Sequence, residues 1–382
     1  LPIRQGVFVQ YIKTKEKRRM KRLIWLLCLF TMLVWNVTPA LAGAPEALAW
    51  LRARQNADGG FAADSGGASD PSATVEAIFA GVAGGQDPAA WTQSGNTPIS
   101  FLESKADSTL AKPGDNAKLI LAVVAAKRNP RSFGGVDLVA SLESKLDPSG
   151  VYGGAKTGTV FEQTLAILAL KAVRRPIPVL AVDWLAGLQL GDGSWSWNGD
   201  TTPGSGDSNT TALAVQALVA AGGQGEAGSK ARVVKALGYL HGIQNKDGGF
   251  PYQKPSAQGS DTDANSTAYV MQAIIAAGGD PAGADWTVGG NTPLSALAAL
   301  QLKSGAFTWQ NATPADNFLA TTQAVPALAG KAILDVTGSL DVGEATPPAS
   351  LPATGGVWPG WGLMLAAGLA LGGTGLALRR HP

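Results

Sequence analysis

Four segments of this chain share one spacing. Gln55-x3-Gly59-x-Phe61, Gln189-x3-Gly193-x-Trp195, Gln244-x3-Gly248-x-Phe250 and Gln301-x3-Gly305-x-Phe307 all read Gln-x-x-x-Gly-x-aromatic. A fifth, Leu146-x3-Gly150-x-Tyr152, keeps everything but the glutamine. The motif glycines fall at 59, 150, 193, 248 and 305, and the first gap is about twice the others. A further unit without the motif, Thr97 to Ala126, fills that gap and brings the count to six. Such a period marks units that cannot bury an apolar face alone and do so against their neighbours.

Each unit has the same grammar. An amphipathic helix such as Ala181 to Leu188 stops at the glycine turn, and a polar loop with a cap-like Asp/Asn/Ser/Thr cluster follows. A second helix then carries no polar face, as in Leu119 to Ala126, Leu165 to Leu170, Leu213 to Ala221 and Tyr269 to Ala277. A helix apolar all round must be covered all round. Six hairpins of this kind meet that need by closing into a double ring, with the apolar helices inside. The joints agree: Gly95-Asn96-Thr97-Pro98 and Gly290-Asn291-Thr292-Pro293 each offer Thr as a helix cap and Pro as the first helical residue.

The Gln-x-x-x-Gly-aromatic motif resembles the QW repeat of squalene and terpene cyclases and of protein prenyltransferase β subunits. That resemblance, over Ala47 to about Gly330, implies an all-α fold, the α/α toroid, of about six helix-hairpin repeats with inner and outer rings. The stretch Val160 to Leu170 also looks like inner helices of the cobalamin carriers, and complement-type thioester domains are further relatives. Enzymes and binders share this fold, so function must come from the site.

The chain ends carry a separate message. Lys21-Arg22, an apolar run from Leu23 to Val37 and Ala40-Leu41-Ala42 read in order as a secretory signal, within residues 1–42 and behind an over-extended start. Residues 43–334 are then the ring, and 335–350 are a Pro-containing spacer. Residues 351–382 hold Leu351-Pro352-Ala353-Thr354-Gly355, an apolar stretch and Arg379-Arg380. The last set resembles a cell-wall sorting signal, which implies sortase cleavage between Thr354 and Gly355. A plain membrane anchor is the alternative. Either places the body outside the cell, anchored at its surface.

Removing the eight basic and one acidic residue of positions 1–22, and the two tail arginines, leaves 20 basic and 27 acidic residues. A net charge of −7 argues against nucleic acid as a partner. The single cysteine, Cys28, leaves with the signal, so neither a disulfide nor a thioester is expected. Zinc prenyltransfer needs Asp, Cys and His together, and the ring offers only His241, expected on an outer surface. No metal is expected. The acidic motif of squalene-type cyclases has its nearest match in Asp261-Thr262-Asp263-Ala264, where the last carboxylate is missing. Asp261 and Asp263 are therefore weak catalytic candidates. Inner-helix aromatics, which carbocations need, are few: Phe79, Phe161, Tyr269 and Phe318.

What remains is polar. Asp207/Asn209/Thr211 and Asp263/Asn265/Thr267 repeat at inner-helix starts, with Asp70/Ser72/Thr74 as a variant and Asp115, Gln163 and Asp316/Asn317 at similar places. Capping accounts for part of this. The rest is expected to face a ligand at the mouth where the helix N-termini converge. Trp197, Tyr252 and Trp309 each follow a motif aromatic by two residues and are candidates for an aromatic platform. The expectation is a monomeric, surface-anchored, non-catalytic ring that binds a small molecule, with a corrinoid as one candidate ligand and no resident cofactor. A cyclase- or prenyltransferase-like enzyme and a structural or adhesive module are the alternatives.

Overall fold

The computed structural model describes residues 43–222, 229–257 and 259–343. The expected signal, spacer end, Thr354–Gly355 cleavage site and apolar tail lie outside the described residues. Among the described residues there are thirteen α-helices and no strand, only isolated β-bridges. Six outer helices are α1 (Ala44–Arg52), α3 (Pro98–Lys105), α5 (Leu138–Glu143), α7 (Val179–Gly187), α9 (Ser229–Ile243) and α11 (Pro293–Ala298). They alternate with six inner helices: α2 (Pro71–Ala83), α4 (Pro113–Ala125), α6 (Val160–Ala172), α8 (Ser208–Ala221), α10 (Ala264–Ala276) and α12 (Phe318–Leu328). The inner helices pack in the order α2–α4–α6–α8–α10–α12, and α12 packs back on α2. The ring is closed, and the unit without the motif, α3 with α4, is the second of six.

The inner helices are as buried as their composition demands. Every residue from Leu119 to Ala125 is buried, as is every one from Gln163 to Leu170. Small alanines let neighbouring helices approach closely, and the outer ring covers their backs. Between units, the joint tryptophans Trp91 and Trp286 pack edge-on against the motif aromatics Phe61 and Phe250, at 6.0 Å between ring centres in each case.

The motif glutamine is an inter-unit staple. Its amide nitrogen donates once to its own motif glycine and once to a carbonyl of the next unit, in that unit's outer helix or the joint leading into it. Gln55 binds Gly59 O and Trp91 O, Gln189 binds Gly193 O and Arg232 O, and Gln244 binds Gly248 O and Trp286 O, all between 2.8 and 3.1 Å. Gln301 binds Gly305 O at 3.0 Å and Gly43 O at 2.6 Å, which joins the last unit to the first. The glycine serves the same junction. Gly305 sits at φ +91°, and a Cβ there would lie 2.6 Å from the Glu46 carbonyl oxygen on α1. Side chains are thus barred by both conformation and proximity.

Where the glutamine is missing, the inner helix supplies the amide. Leu146 replaces it in the third unit, and Gln163 on α6 donates to Gly150 O at 2.8 Å and to Ala181 O on α7 at 2.9 Å. In the second unit Asn116, at the same fourth position of α4, donates to Leu138 O on α5 at 3.2 Å.

After α12 the chain crosses the C-terminal ends of the inner helices. α13 (Ile333–Thr337) packs on α2, α4 and α6. Lys331 Nζ donates to Ala83 O, Ile333 N to Gln216 Oε1 and Leu340 N to Ala172 O. Arg131 donates to the carbonyls of Val342 and Gly343. The stretch expected to begin a spacer at 335 is therefore part of the ring body through Gly343. Its polar composition hid an attachment made largely through backbone groups.

Replacing Gln301 with Ala removes both bonds of the closing amide, although the Gly43 carbonyl keeps its bond from Ala47 N, and the expected cost is about 1–3 kcal/mol. Gly305→Ala adds backbone strain and a clash at the same seam and is expected to cost at least as much. Urea denaturation of the two variants beside the parent measures both. A loss below a few tenths of a kcal/mol in Gln301→Ala would refute the closure role.

Candidate functional site

The N-terminal ends of the six inner helices define one mouth, and helical position decides what each polar residue there does. The residue before the helix caps it. Asp70 accepts from Ala73 N, Asp207 from Thr210 N, Asp263 from Ser266 N and Asn317 from Ala320 N, between 2.7 and 2.9 Å. The fourth helical residue holds the motif aromatic in place. Thr74 Oγ1 accepts from Phe61 N, Thr211 from Trp195 N, Thr267 from Phe250 N and Gln163 Oε1 from Tyr152 N, each at 3.0 Å. Thr321, not singled out in the sequence, does the same for Phe307 N at 2.8 Å. The polar atoms of these threonines, and of Gln163, are engaged within the wall.

The second helical residue is what the wall leaves over. Asn209 and Asn265 are half-buried there, and Ser72 is exposed. Asn265 Nδ2 donates to Gln323 Oε1 at 2.7 Å, and Gln323 reaches the Tyr269 hydroxyl at 3.4 Å. Asp115 is exposed at the third position of α4 and, with Asp70, Ser72, Ser108, Thr109 and Lys118, lines a mouth pocket of about 270 Å³. Asp316 lies apart from this group. It accepts from Trp50 Nε1 on α1 and from Ser304, beside Arg54 at 3.6 Å. Those hydrogen bonds and that guanidinium hold its carboxyl below the ordinary range.

Behind the mouth, the sixth residues of the inner helices form a layer: Glu76, Lys118, Leu165, Leu213, Tyr269 and Gln323. All six line a central chamber of about 40 Å³, which Ile333 and Val336 of α13 close from the other end. One water needs about 10–15 Å³ by this measure, so the chamber holds a few waters at most. Its polar core is an ion pair, Lys118 Nζ to Glu76 Oε1 at 2.7 Å, with the Lys118 ammonium also 5.7 Å from the Phe161 ring centre. Burial works against the ammonium, but the Glu76 carboxylate beside it holds the Lys118 pKa above its usual value. Burial likewise pushes the Tyr269 phenol up to about 12. Sequence reading missed Glu76, Lys118, Gln323 and Gln272. Their signal was present as isolated polar residues in largely apolar helices, with Glu76, Lys118 and Gln323 at the sixth position and Gln272 one turn further along.

Asp261 and Asp263 sit in different surroundings. Asp261 is exposed, whereas Asp263 is 2% exposed and accepts from both the Ser266 N–H and its hydroxyl. Neither lines the central chamber. Burial pushes the Asp263 carboxyl up to about 6 against the hydrogen bonds of Ser266. Asp207, 1% exposed, is also pushed up to about 6 by burial, against the hydrogen bonds of Thr210 and of the nearby Tyr252 hydroxyl. His241 lies on the outer face, with Nε2 3.1 Å from Asp285 O and its ring on Trp286. Among the described residues no group of His, Cys, Asp and Glu could hold a metal, and no helix is long and apolar enough to cross a membrane.

The second aromatic of each loop pair differs sharply from the first. Trp195, Phe250 and Phe307 are fully buried, while Trp197, Tyr252 and Trp309 are exposed by 54, 44 and 46%. Their backbone carbonyls accept from the first turns of the preceding unit's inner helix: Trp197 O from Phe161 N, Tyr252 O from Ser208 N and Trp309 O from Ala264 N. All three loops thus cross the mouth.

Solved structures with this architecture are known. The chain is similar to the type II terpene cyclase MstE from Scytonema at 14% identity, with 76% of this chain and 97% of that chain covered and a TM-score of 0.54. A protein from Actinoplanes matches at 15% identity over 76% of this chain and 98% of that one, with a TM-score of 0.51. Haptocorrin in complex with Cbi matches at 16%, over 82% and 72%, with a TM-score of 0.50. No family model matches the chain, and no curated protein does. At such identities the likeness is one of fold, and the fold is the terpene-cyclase-like α/α toroid.

The Asp207 carboxyl gives a pH signature. Its folded pKa of about 6 exceeds its ordinary value of 3.8, so the folded state binds the proton more tightly. Its contribution to stability is full below about pH 4, declines as pH rises through 6 and is absent above. Asp207→Asn keeps the cap and removes the charge. Relative to the parent, it should gain about 2–3 kcal/mol between pH 4 and 7.5 in urea titrations, and a pH-independent difference would contradict the assignment.

Proposed function

We propose that this chain is a surface-displayed, non-catalytic toroid that binds a small polar ligand at the mouth of its inner helices. One observation carries the reading. With the wall's caps and aromatic anchors assigned, the second helical residues Asn209 and Asn265 stay half-exposed at the mouth, and Asn265 donates to Gln323 of the polar Gln323–Tyr269 pair. Amides of this kind donate and accept at once and suit neutral, hydrogen-bonding ligands.

The chamber supports the non-catalytic half of the proposal. At about 40 Å³ it has no room for a polyprenyl chain, and its carboxylate, Glu76, is paired with Lys118. A general acid needs a carboxyl held protonated against the substrate, and Asp263 turns its oxygens to Ser266 instead. The likeness to haptocorrin, solved in complex with Cbi, makes a corrinoid the first ligand to try, held on the mouth rather than within the ring. Display at the surface rests on the two chain ends read in the sequence.

Equilibrium dialysis of the full-length chain against a corrinoid and a panel of neutral oligosaccharides tests the binding. At least one compound should bind, and the Asn209→Ala/Asn265→Ala double variant should weaken it tenfold or more. Incubation with squalene and geranylgeranyl substrates should yield no cyclised product. A product that disappears in Asp263→Asn would sink the non-catalytic reading.

A further inference from the structure

The mouth is not the same all the way round. In the fourth, fifth and sixth units the position two after the motif aromatic holds Trp197, Tyr252 and Trp309. In the first and third units it holds Ala63 and Gly154. The large exposed rings therefore occupy consecutive units and cover one arc of the mouth, over the N-termini of α6, α8 and α10. Half-exposed aromatic surface in three adjacent copies of one position is costly to keep in water, and contiguous patches of this sort mark interaction sites.

The surface just inside the arc is polar at its centre and apolar at its sides. Phe161 and Leu319, at second helical positions of α6 and α12, flank the Asn209 and Asn265 amides of α8 and α10. The Tyr252 phenol is tied to the mouth as well. Burial and the neighbouring Asp207 carboxyl both raise its pKa, so it stays a neutral hydroxyl at physiological pH. The cation of the chamber behind the mouth, Lys118, is paired with Glu76. The exported part of the chain is also net acidic.

We propose that this arc is a binding platform for neutral oligosaccharides. The inference deepens the mouth-binding reading and rests on it. A pyranose offers an apolar face of C–H groups, which stacks on an indole or phenol ring, and a rim of hydroxyls, which amides and hydroxyls satisfy. The three rings belong to loops that cross adjacent inner helices, and packed helices lie about 8–10 Å apart. A single sugar reaches one ring, whereas a chain of several sugars reaches two or three. Affinity should therefore climb with chain length, each added contact becoming intramolecular.

Titration calorimetry of the full-length chain with glucose and with α-1,4- and β-1,4-linked glucohexaoses tests this, with tryptophan fluorescence as a second readout. One hexaose is expected to bind at least tenfold more tightly than glucose and to shift the tryptophan emission. Trp197→Ala and Trp309→Ala should each weaken it fivefold or more while leaving the melting midpoint unchanged, since both side chains are about half exposed. Oligosaccharide binding that ignores both substitutions, or no oligosaccharide binding at all, overturns the platform. If a corrinoid then binds and depends on Asn265, the platform falls and the mouth reading stands. A proline-rich peptide bound through the tryptophans, with no glycan bound, also overturns the platform in favour of a peptide ligand. If no ligand engages the mouth, both readings fall.

Discussion

A side-chain amide that donates one hydrogen bond to its own motif turn and one across the unit junction is the interaction on which this ring depends. Helix hairpins stacked side by side could spiral or splay, because apolar packing is not directional. The amide is directional. It fixes the motif turn of one unit against the start of the next outer helix, and the glycine at φ near +90° brings the two backbones into contact there. Repeated around the ring, that junction sets a rotation per unit, and the bond from Gln301 to Gly43 closes it. The two units without the glutamine reinforce the point. Asn116 and Gln163 reach the neighbouring outer helix from the fourth position of the inner helix, so the bond is kept though its donor has moved.

Closure with six Ala-rich inner helices has a geometric consequence. The lumen is narrow, and what fills it is decided by the inward-facing residues of each helix. Here these include a buried ion pair, Tyr269, Gln272 and Gln323, with α13 laid across the far end. A buried ion pair in a ring of this kind is weak evidence for stability, since the desolvation of both charges offsets much of their attraction. Removing either partner alone would leave a charge stranded in the chamber. The pair therefore constrains the lumen more than it strengthens it, and it separates this toroid from any use of the ring as a large apolar cavity.

The fold was legible because its signals are redundant. Five motif copies marked five hairpins, four all-apolar helices and two capped joints agreed with them, and the motif-less α3–α4 unit could be placed from a gap in the glycine positions. The mouth was harder. An Asp-x-Asn-x-Thr triad looks uniform in sequence, but the three residues fall at the cap, second and fourth positions and do three different things. Thr74, Thr211 and Thr267 hold motif aromatics, a bond between residues 13 to 17 apart that no local pattern reveals. Gln163 read as a free amide because the loss at Leu146 and the gain at 163 are visible as one event only when the two are in contact. Asp316 was placed at the mouth by its neighbour Asn317, yet a one-residue offset turns it outward to Trp50 and Arg54.

Structural and exposed roles separate by the same logic in the aromatic pairs. In an extended segment, residues two apart face the same side, but the first of each pair is fully buried and the second is not. The difference comes from where the loop goes. The first aromatic is drawn into the unit by the fourth-position hydroxyl, as at Trp195 and Thr211. The backbone then turns across the neighbouring helix N-terminus and carries the second aromatic outward, as Tyr252 O meets Ser208 N. Core and exposed rim are thus built from one loop, and the bonds that place the buried ring also place the backbone that carries the exposed one. A ligand at the mouth would meet that backbone already ordered, which lowers the entropic cost of binding.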